Sequence, residues 1–584
     1  MRKSSRPLIK TILLGLFALI ALFNESCGQT KVENLDKLIG AYAENANFNG
    51  SVLVAEKGVI IYKKGFGLAN MEYGIPNQPS TKFRLGSVTK QFTAMLIMQL
   101  VSENKLALDS PISRYLHDYP KKTGDRITIH HLLTHTSGIP DYTSFPGFRQ
   151  LMGTTARPEE LVRLFADSAL EFAPGERYQY SNSGYVLLGF IIETITGKTY
   201  EQVLQSKILV PLEMNNTGYD HNSSVLTDRA AGYNRAGNSF QNANYIDMSV
   251  SFSAGGLYST VEDLYKWDQA LYTEKLLPKK YLDLSFAKQV PADGQFYGYG
   301  WMIGKISVGN STDRIETIGH SGVINGFNAR ITRIPSDKSL IVLLNNTGGA
   351  PLDEMTVGIA GILNDKPYSF PKKSLAYSLL HVIDQDGLDA ARLFYDKVKT
   401  SEDYQLNEND INSAGYELLQ SSRAKEATFL FKINVEAFPN SFNAYDSYGE
   451  ALLTLGDTTQ SIENYKKSVK LNPGSQSGLS ALKQLGVNTD TLVKHVPIEQ
   501  LKILEGEYLV IDPPGGRNKY WKLQFKEEKG ELFGNDGGYR YKLVPVAENK
   551  FINPDDGASF VFDASDRNSI TVLVFGNVKF KKLS

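Results

Sequence analysis

Two runs rich in Val and Ile, GSVLVAEKGVIIYKKGFGLAN from Gly50 and ETIGHSGVINGFNARITRIPSDKSLIVLLNNTGG from Glu316, stand far apart in the chain. Each is punctuated by turn signals, Glu56-Lys57-Gly58 in the first and Asn325-Gly326 and Pro335-Ser336-Asp337 in the second, so each reads as short paired strands. Between them the pattern is mostly helical, with runs over Val88 to Leu106 and Pro158 to Asp167. This arrangement predicts one sheet assembled from both ends of a domain, with a helical lobe inserted between the two.

From about residue 366 the pattern changes. INSAGYELLQSSRAKEATFLFKINVEAFPNS and YDSYGEALLTLGDTTQSIENYKKSVKLNPGS align at a separation of 34 residues, matching Gly415 with Gly449, Leu418 with Leu452, Phe431 with Tyr465, Val435 with Val469 and Pro439 with Pro473. The period and the closing Pro resemble tetratricopeptide (TPR) repeats, in which each helix pair buries its apolar face against the next. The segment Ser374 to Lys399 is expected to supply a helical packing partner ahead of them. From about Gln500, short runs such as GEYLVI, YWKLQFK, YRYKLVPV, SFVFD and SITVLVFG alternate with turns rich in Gly, Asp and Asn, which reads as a small all-β module. That module resembles the C-terminal β domain often appended to exported serine hydrolases. A chain of 584 residues is long enough for several domains. We divide it into a leader over 1–28, a first domain over 29–365, helical repeats over 366–490 and a β domain over 500–584.

The first ten residues, MRKSSRPLIK, are basic, and Thr11 to Phe23 is an uninterrupted apolar run. That run has the length of a signal-peptide core and is short for a bilayer span, so export to the periplasm or the envelope is expected. Two processing routes fit the following NESCGQT. The small residues Ser26 and Gly28 suit cleavage before Gln29, and Cys27 suits a lipoprotein anchor, although Asn24 stands where such signals usually have Leu. Cys27 is the only cysteine, so the mature chain has no internal disulfide and no Cys-based metal site or nucleophile. With 62 basic against 63 acidic residues and no long basic run beyond the leader, nucleic acid is not expected as a partner. Membrane contact is expected only through a lipid on Cys27.

Ser87 and Lys90, in FRLGSVTKQFTAMLIMQLV, are three residues apart at the mouth of an apolar helical run, a spacing that puts both side chains on one face. Gly86 sets the hydroxyl at or near a helix N-terminus, where the dipole favours developing negative charge. A partly desolvated lysine there has a lowered pKa and can accept the hydroxyl proton. Alone, the pair fits a Ser N-cap and a solvated Lys just as well. Context comes from Tyr180-Ser181-Asn182 in GERYQYSNSGYVLLG and His320-Ser321-Gly322 in IGHSGVINGF, which follow in the order of the Ser-x-x-Lys, Ser-Asp-Asn and Lys-Thr-Gly elements. With HLLTHTSGIPDY and GGLYSTVEDLYKW, residues 32 to 365 resemble class C β-lactamases and the related exported serine esterases, DD-peptidases and D-aminopeptidases.

The resemblance implies an α/β (α+β) β-lactamase/transpeptidase-like fold with an antiparallel sheet and a helical lobe. It implies that Ser87 forms the acyl-enzyme, that Lys90 and Tyr180 share general-base and general-acid work, and that Asn182 orients Lys90 and bonds the substrate amide. The backbone N–H groups of Ser87 and Val323 would form the oxyanion hole, and Gly322 would let the strand approach the substrate closely. His320 stands where β-lactamases place a lysine that attracts the substrate carboxylate. An imidazole is only fractionally charged near neutral pH, so weaker, pH-dependent carboxylate recognition is expected, with His320 serving substrate or proton handling.

Other constellations carry less. His131 and His135 have helical metal-pair spacing but lack the acidic partner of His-Glu-x-x-His and a third ligand, so packed or capping roles are expected and neither a metal nor another cofactor. There is no Gly-x-Ser-x-Gly elbow and no Gly-x-x-x-x-Gly-Lys phosphate loop. The expected function is an exported serine hydrolase acting on a small-molecule or peptide-like substrate, an ester or amide, as an esterase, DD-peptidase or D-aminopeptidase with at most weak β-lactamase activity. Two alternatives stand beside it: a slowly deacylating penicillin-binding or sensing module, and an interaction protein whose repeats bind a protein partner while the hydrolase domain is vestigial.

Overall fold

The computed structural model describes residues 30–583 apart from 146, 237–238, 490–491, 493–495, 512–521, 536–539, 554–557, 567–568 and 575–577. The leader and Cys27 lie outside the described residues. The chain forms two compact units, one ending at Pro371 and the other beginning at Lys372.

The first unit is built on an eight-stranded antiparallel sheet. Its strands are β1 (Gly50–Glu56), β2 (Val59–Phe66), β3 (Val290–Ala292), β4 (Gln295–Tyr297), β5 (Met302–Ser307), β6 (Arg314–Ile324), β7 (Phe327–Ile334) and β8 (Ser339–Asn345), in the order β3-β4-β5-β6-β7-β8-β1-β2. As expected, the two ends of the domain meet: β1 lies between β8 and β2, with Leu53 opposite Val342 and Lys63. The hairpins turn where Lys57, Gly58, Gly326 and Lys338 take left-handed backbone angles. Strand β1 is buried on both faces, which is why it reads as a continuous apolar run rather than an alternating one. Val52 and Val54 pack with Leu35, Leu38 and Ile39 of a helix over 30–44 and with Met355 and Ile359 of the helix Leu352–Leu363. Leu53 and Ala55 face the large core of the helical lobe.

Four helices of that lobe position the site: α1 (Thr89–Ser102), α2 (Asn182–Thr196), α3 (Phe252–Gly255) and α4 (Val261–Ala270). The run expected to continue to Leu106 ends at Ser102, two residues before Asn104 takes a left-handed φ of 57°. The other run expected in the lobe forms a helix over Pro158–Phe165. Helix α4 ties α1 to the sheet. Trp267 stacks on Phe92 at 4.4 Å and donates its indole N–H to Gln91 at 3.1 Å. Asp268 accepts from Arg333 of β7 at 2.6 Å, both side chains being buried. The Arg333 guanidinium also lies over the rings of Tyr272, Phe286 and Trp301, at 4.6, 5.0 and 5.7 Å.

In the second unit the segment Ser374 to Lys399 is not one helix but two, α5 (Leu375–Asp386) and α6 (Leu388–Val398), broken at Gly387 with φ 84°. Helices α7 (Glu408–Gln420), α8 (Ala424–Ala437), α9 (Phe442–Leu455) and α10 (Thr458–Leu471) follow, then α11 (Gln476–Gln484). Asn407, Ser441, Asp457 and Ser475 cap α7, α9, α10 and α11 through side-chain oxygens that accept backbone N–H groups. A Cβ on Gly415 would lie 2.6 Å from the Phe431 ring and one on Gly449 3.2 Å from the Tyr465 ring, so the glycines let each helix close on the next at the same step of the 34-residue period. Leu375, Leu379 and Leu380 of α5 join Ile411, Leu418 and Phe431 in one core.

The C-terminal module is a closed eight-stranded barrel running from Gly506–Val510 to Val578–Lys582, whose first and last strands pair. Tyr508, Phe525, Phe551, Phe560, Phe562 and Phe580 fill its interior. The five apolar runs in the sequence missed three strands, Glu531–Asn535, Lys550–Ile552 and Val578–Lys582. Their outward charged residues dilute the apolar signal.

Breaking a buried ion pair leaves an uncompensated charge, which costs about 3–5 kcal/mol. Asp268→Ala is therefore expected to lower first-unit stability by that amount in denaturant unfolding, and Asp268→Ala with Arg333→Met to recover most of the loss.

Candidate functional site

Ser87 lies in a single 3-10 turn, Gly86–Val88, that runs directly into α1. Gly86 takes φ 52°, and a Cβ there would lie 2.8 Å from both the N and the O of Val323. Across the gap, a Cβ on Gly322 would lie 1.9 Å from the Leu85 carbonyl oxygen and 3.0 Å from the Ser87 nitrogen. Two glycines thus let strand β6 lie against the serine turn, bringing the backbone at Ser87 alongside that at Val323. The close approach expected of Gly322 is made to the Leu85–Ser87 backbone, so the glycine serves the fold of the site before any substrate. Ser321 and Val323 point outward, Val323 being 70% exposed.

Lys90, the second residue of α1, is fully buried. Its ammonium nitrogen lies 3.0 Å from Ser87 Oγ, 2.8 Å from Asn182 Oδ1 and 2.9 Å from the Ala254 carbonyl oxygen of α3. The Nζ also sits over the rings of Tyr180 and Tyr185, at 4.7 and 5.5 Å. Burial pulls its pKa down to about 7 against the smaller opposing pull of Asp141.

Asn182 is the first residue of α2. Its backbone N–H and Nδ2 both donate to Asp141 Oδ2, at 3.2 and 2.9 Å, which fixes the amide so that Oδ1 faces Lys90. The other Asp141 oxygen accepts from the backbone and hydroxyl of Thr143 at 3.0 and 2.9 Å. Asp141 is a site residue that the sequence reading passed over, although it stands in the quoted HLLTHTSGIPDY. Nothing in its spacing distinguished it from a turn residue.

Tyr180 is half-buried with its hydroxyl enclosed, facing Ser87 without completing a hydrogen bond. Burial drives its pKa well above the usual tyrosine value. Behind it lie further aromatic rings. The His135 ring stacks on Tyr180 at 4.2 Å and meets Tyr297 edge-on at 4.7 Å. The Tyr297 hydroxyl is 3.0 Å from His320 Nε2, and His320 Nδ1 is 2.6 Å from the Ser321 carbonyl oxygen. A carbonyl can only accept, so Nδ1 carries the hydrogen and Nε2 accepts from Tyr297. Burial first, and then Lys90 and Arg330, push the His320 pKa down to about 3. The fractional charge near neutral pH expected of His320 therefore does not arise.

His135 is buried and adopts φ 57°, a left-handed conformation unfavourable for a non-glycine residue. Its Nδ1 accepts the Ser181 backbone N–H at 3.1 Å. His131 joins a capping box with Thr128, and His130 Nδ1 meets the Tyr299 hydroxyl at 3.0 Å. Among the described residues no cluster of three or more His, Cys, Asp or Glu could hold a metal ion.

Ser87 and Asn182 open into a cleft of about 410 Å³. Tyr142, Phe148, Met152, Ile246 and Phe327 give it apolar surface, and Asn234, Asn244 and Asn325 give it amides.

The family model described as Beta-lactamase matches residues 35–361. A penicillin-binding protein of Bacillus subtilis (strain 168) is 31% identical over 364 residues, covering 59% of this chain and 79% of that protein. A teichoic acid D-alanine hydrolase of Staphylococcus aureus (strain MRSA252) is 30% identical over 273 residues, 46% of this chain and 65% of that protein. Among solved structures, the D-amino acid amidase from Ochrobactrum anthropi SV3 complexed with D-phenylalanine matches with 25% identity and a TM-score of 0.50, over 58% of this chain and 99% of that one.

The ring stack and the Ser181 bond make His135 a positioning residue for Tyr180. His135→Asn keeps an acceptor and tolerates the left-handed backbone but loses the ring, whereas His135→Phe keeps the ring and loses the acceptor. Were Tyr180 a catalytic group, displacing it by even an ångström would cost up to about a hundredfold. Both variants are expected to lower kcat on p-nitrophenyl acetate by about tenfold or more, with KM little changed.

Proposed function

We propose, for a chain that belongs to the beta-lactamase family and is a serine hydrolase, that Ser87 is the acylated nucleophile and Lys90 its base. The observation that carries this reading is the buried Lys90 amine, hydrogen-bonded to Ser87 Oγ, Asn182 Oδ1 and the Ala254 carbonyl. A free ammonium at pKa 10.5 would hold its proton at neutral pH; at about 7, a large fraction is neutral and offers a lone pair to the Ser87 hydroxyl. Tyr180 is pushed the other way and stays a phenol, which assigns it the acid.

In the forward step Ser87 Oγ bonds to the ester or amide carbonyl carbon while its proton passes to Lys90. The backbone N–H groups of Ser87 and Val323 hold the resulting oxyanion. The carbonyl carbon then loses its amine or alcohol, which takes the Tyr180 proton, and Tyr180 recovers a proton from the Lys90 ammonium. Water reverses these steps on the acyl-Ser87 ester. Asn182 holds Lys90 toward the serine, and Asp141 holds Asn182. His320, neutral and bonded to Tyr297, keeps the layer behind Tyr180 in place.

Export of the chain, with or without a lipid on Cys27, is part of this reading, as is binding of a protein partner by the repeats. The helix pairs from α7 to α10 are read as TPR-like on their 34-residue period and on the repeated glycine-to-ring contact.

The test is acylation and turnover of p-nitrophenyl acetate and a D-amino-acid amide, with the adduct located by mass spectrometry. Ser87→Ala should abolish both adduct and turnover, and an unchanged rate in that variant would sink the proposal. A burst of acylation without turnover would instead favour the slowly deacylating module. Tyr180→Phe is expected to lower kcat by about 10²–10⁴. Because Lys90 must be neutral to act, kcat/KM should rise with pH to a plateau above about 7, falling about tenfold per pH unit on the acid side. With His320 near 3, no second limb should appear between pH 5 and 8.

A further inference from the structure

The cleft beside Ser87 combines aromatic and aliphatic side chains with three asparagine amides, and among the described residues that line it none is charged. Phe148, Met152 and Ile246 form the apolar part. Asn234, Asn244 and Asn325 form the polar part, and Asn325 is fixed by donating its amide N–H to the Asn244 carbonyl at 2.9 Å.

The charged groups in contact with Ser87 and its neighbours are already committed. The Lys90 amine is taken by Ser87, Asn182 and Ala254. Both oxygens of Asp141 accept two hydrogen bonds each, from Thr143 and from Asn182. Arg330, on β7 opposite Ser321, pairs with Asp353 while its Nε has no partner among the described residues, and it lines with Glu354 a neighbouring depression rather than this cleft. The His320 ring is occupied at both nitrogens, by Tyr297 and by the Ser321 carbonyl. A substrate carboxylate would meet no free cation in this cleft, and a substrate ammonium would meet no free carboxylate.

A charge taken out of water without a partner is strongly disfavoured, whereas an amide wall can both donate to and accept from a neutral polar group. We propose that the substrate is a neutral ester or amide with an apolar acyl portion, cleaved at an internal or end-blocked bond rather than beside a free carboxylate or ammonium terminus. This rests on the assignment of Ser87 as nucleophile.

The experiment compares three p-nitrophenyl esters that share a leaving group: the pentanoate, the monoglutarate with its terminal carboxylate, and the 4-(trimethylammonio)butanoate. Each rate is corrected with Ser87→Ala and read with the full chain. The pentanoate is expected to exceed both charged esters in kcat/KM by about tenfold or more. Asn325→Lys should narrow the gap for the monoglutarate alone. A charged ester that matches or exceeds the pentanoate overturns the proposal while leaving the Ser87 acyl-enzyme standing, as does an Asn325→Lys variant, folded as judged by circular dichroism, that keeps the original ratio. Absence of any Ser87 adduct with p-nitrophenyl acetate removes the nucleophile assignment, and this proposal with it.

Discussion

Burying a lysine amine is unfavourable unless its hydrogens find acceptors and its charge is relieved. The first unit meets both conditions at Lys90, and much of its architecture is arranged around doing so. The amine needs Asn182 Oδ1, which points the right way because Asp141 binds the other side of the same amide. It needs the Ala254 carbonyl, which α3 brings in from a distant part of the sequence. Its remaining neighbour is Ser87, held where Gly86 and Gly322 let a turn and a strand approach more closely than any side chain would allow. The Trp267 and Asp268 contacts of α4 tie α1, which carries Lys90, to the sheet. The lowered Lys90 pKa follows from that enclosure.

A second layer sits behind the first. Tyr180 lies between Lys90 on one side and His135 on the other, and His320 reaches the same layer through Tyr297. Two imidazoles stand here within reach of a lysine, and burial together with the Lys90 charge keeps both from protonating. Were either to charge, it would repel the Lys90 ammonium that the proposed proton transfer from Ser87 would form. Neutral imidazoles can instead serve as hydrogen-bonding and stacking elements that hold Tyr180 in place without competing for the proton.

The sequence revealed the parts of this design that depend on local order. Ser87 and Lys90 face the same way because of their spacing, and the hairpins turn where the turn-signal stretches Glu56-Lys57-Gly58, Asn325-Gly326 and Pro335-Ser336-Asp337 stand. The glycine-to-ring contact of α7 with α8 recurs in α9 with α10 because it repeats in the sequence. What stayed hidden depends on contacts between distant segments. Asp141 and Ala254 act through a side chain and a carbonyl that carry no motif of their own, and although His135 packs as expected, nothing in its spacing pointed to the Tyr180 ring as its partner. His320 was misjudged on charge for the same reason, since an imidazole's pKa is set by its enclosure and not by its neighbours in sequence. The three barrel strands outside the named runs carry charged outward residues that dilute their apolar pattern, and only closure of the barrel gives their inward residues a core to join.

The neutrality of the cleft and the basicity of Lys90 are linked. A carboxylate held at roughly 6 Å from the amine, in surroundings with an effective dielectric of about 20, would stabilise the ammonium by about 2–3 kcal/mol. That would carry the Lys90 pKa back toward the ordinary lysine range and leave little free base at neutral pH. Asp141, the carboxylate already present, offsets only part of the burial effect, and four hydrogen bonds spread over its two oxygens disperse its charge. With Lys90 proposed as a base prepared by burial, the site is therefore best served by a substrate that brings no negative charge near it. On this view the uncharged lining and the neutral His320 are two expressions of one constraint, that the field at Lys90 must stay nearly empty of other charges for the serine to be activated.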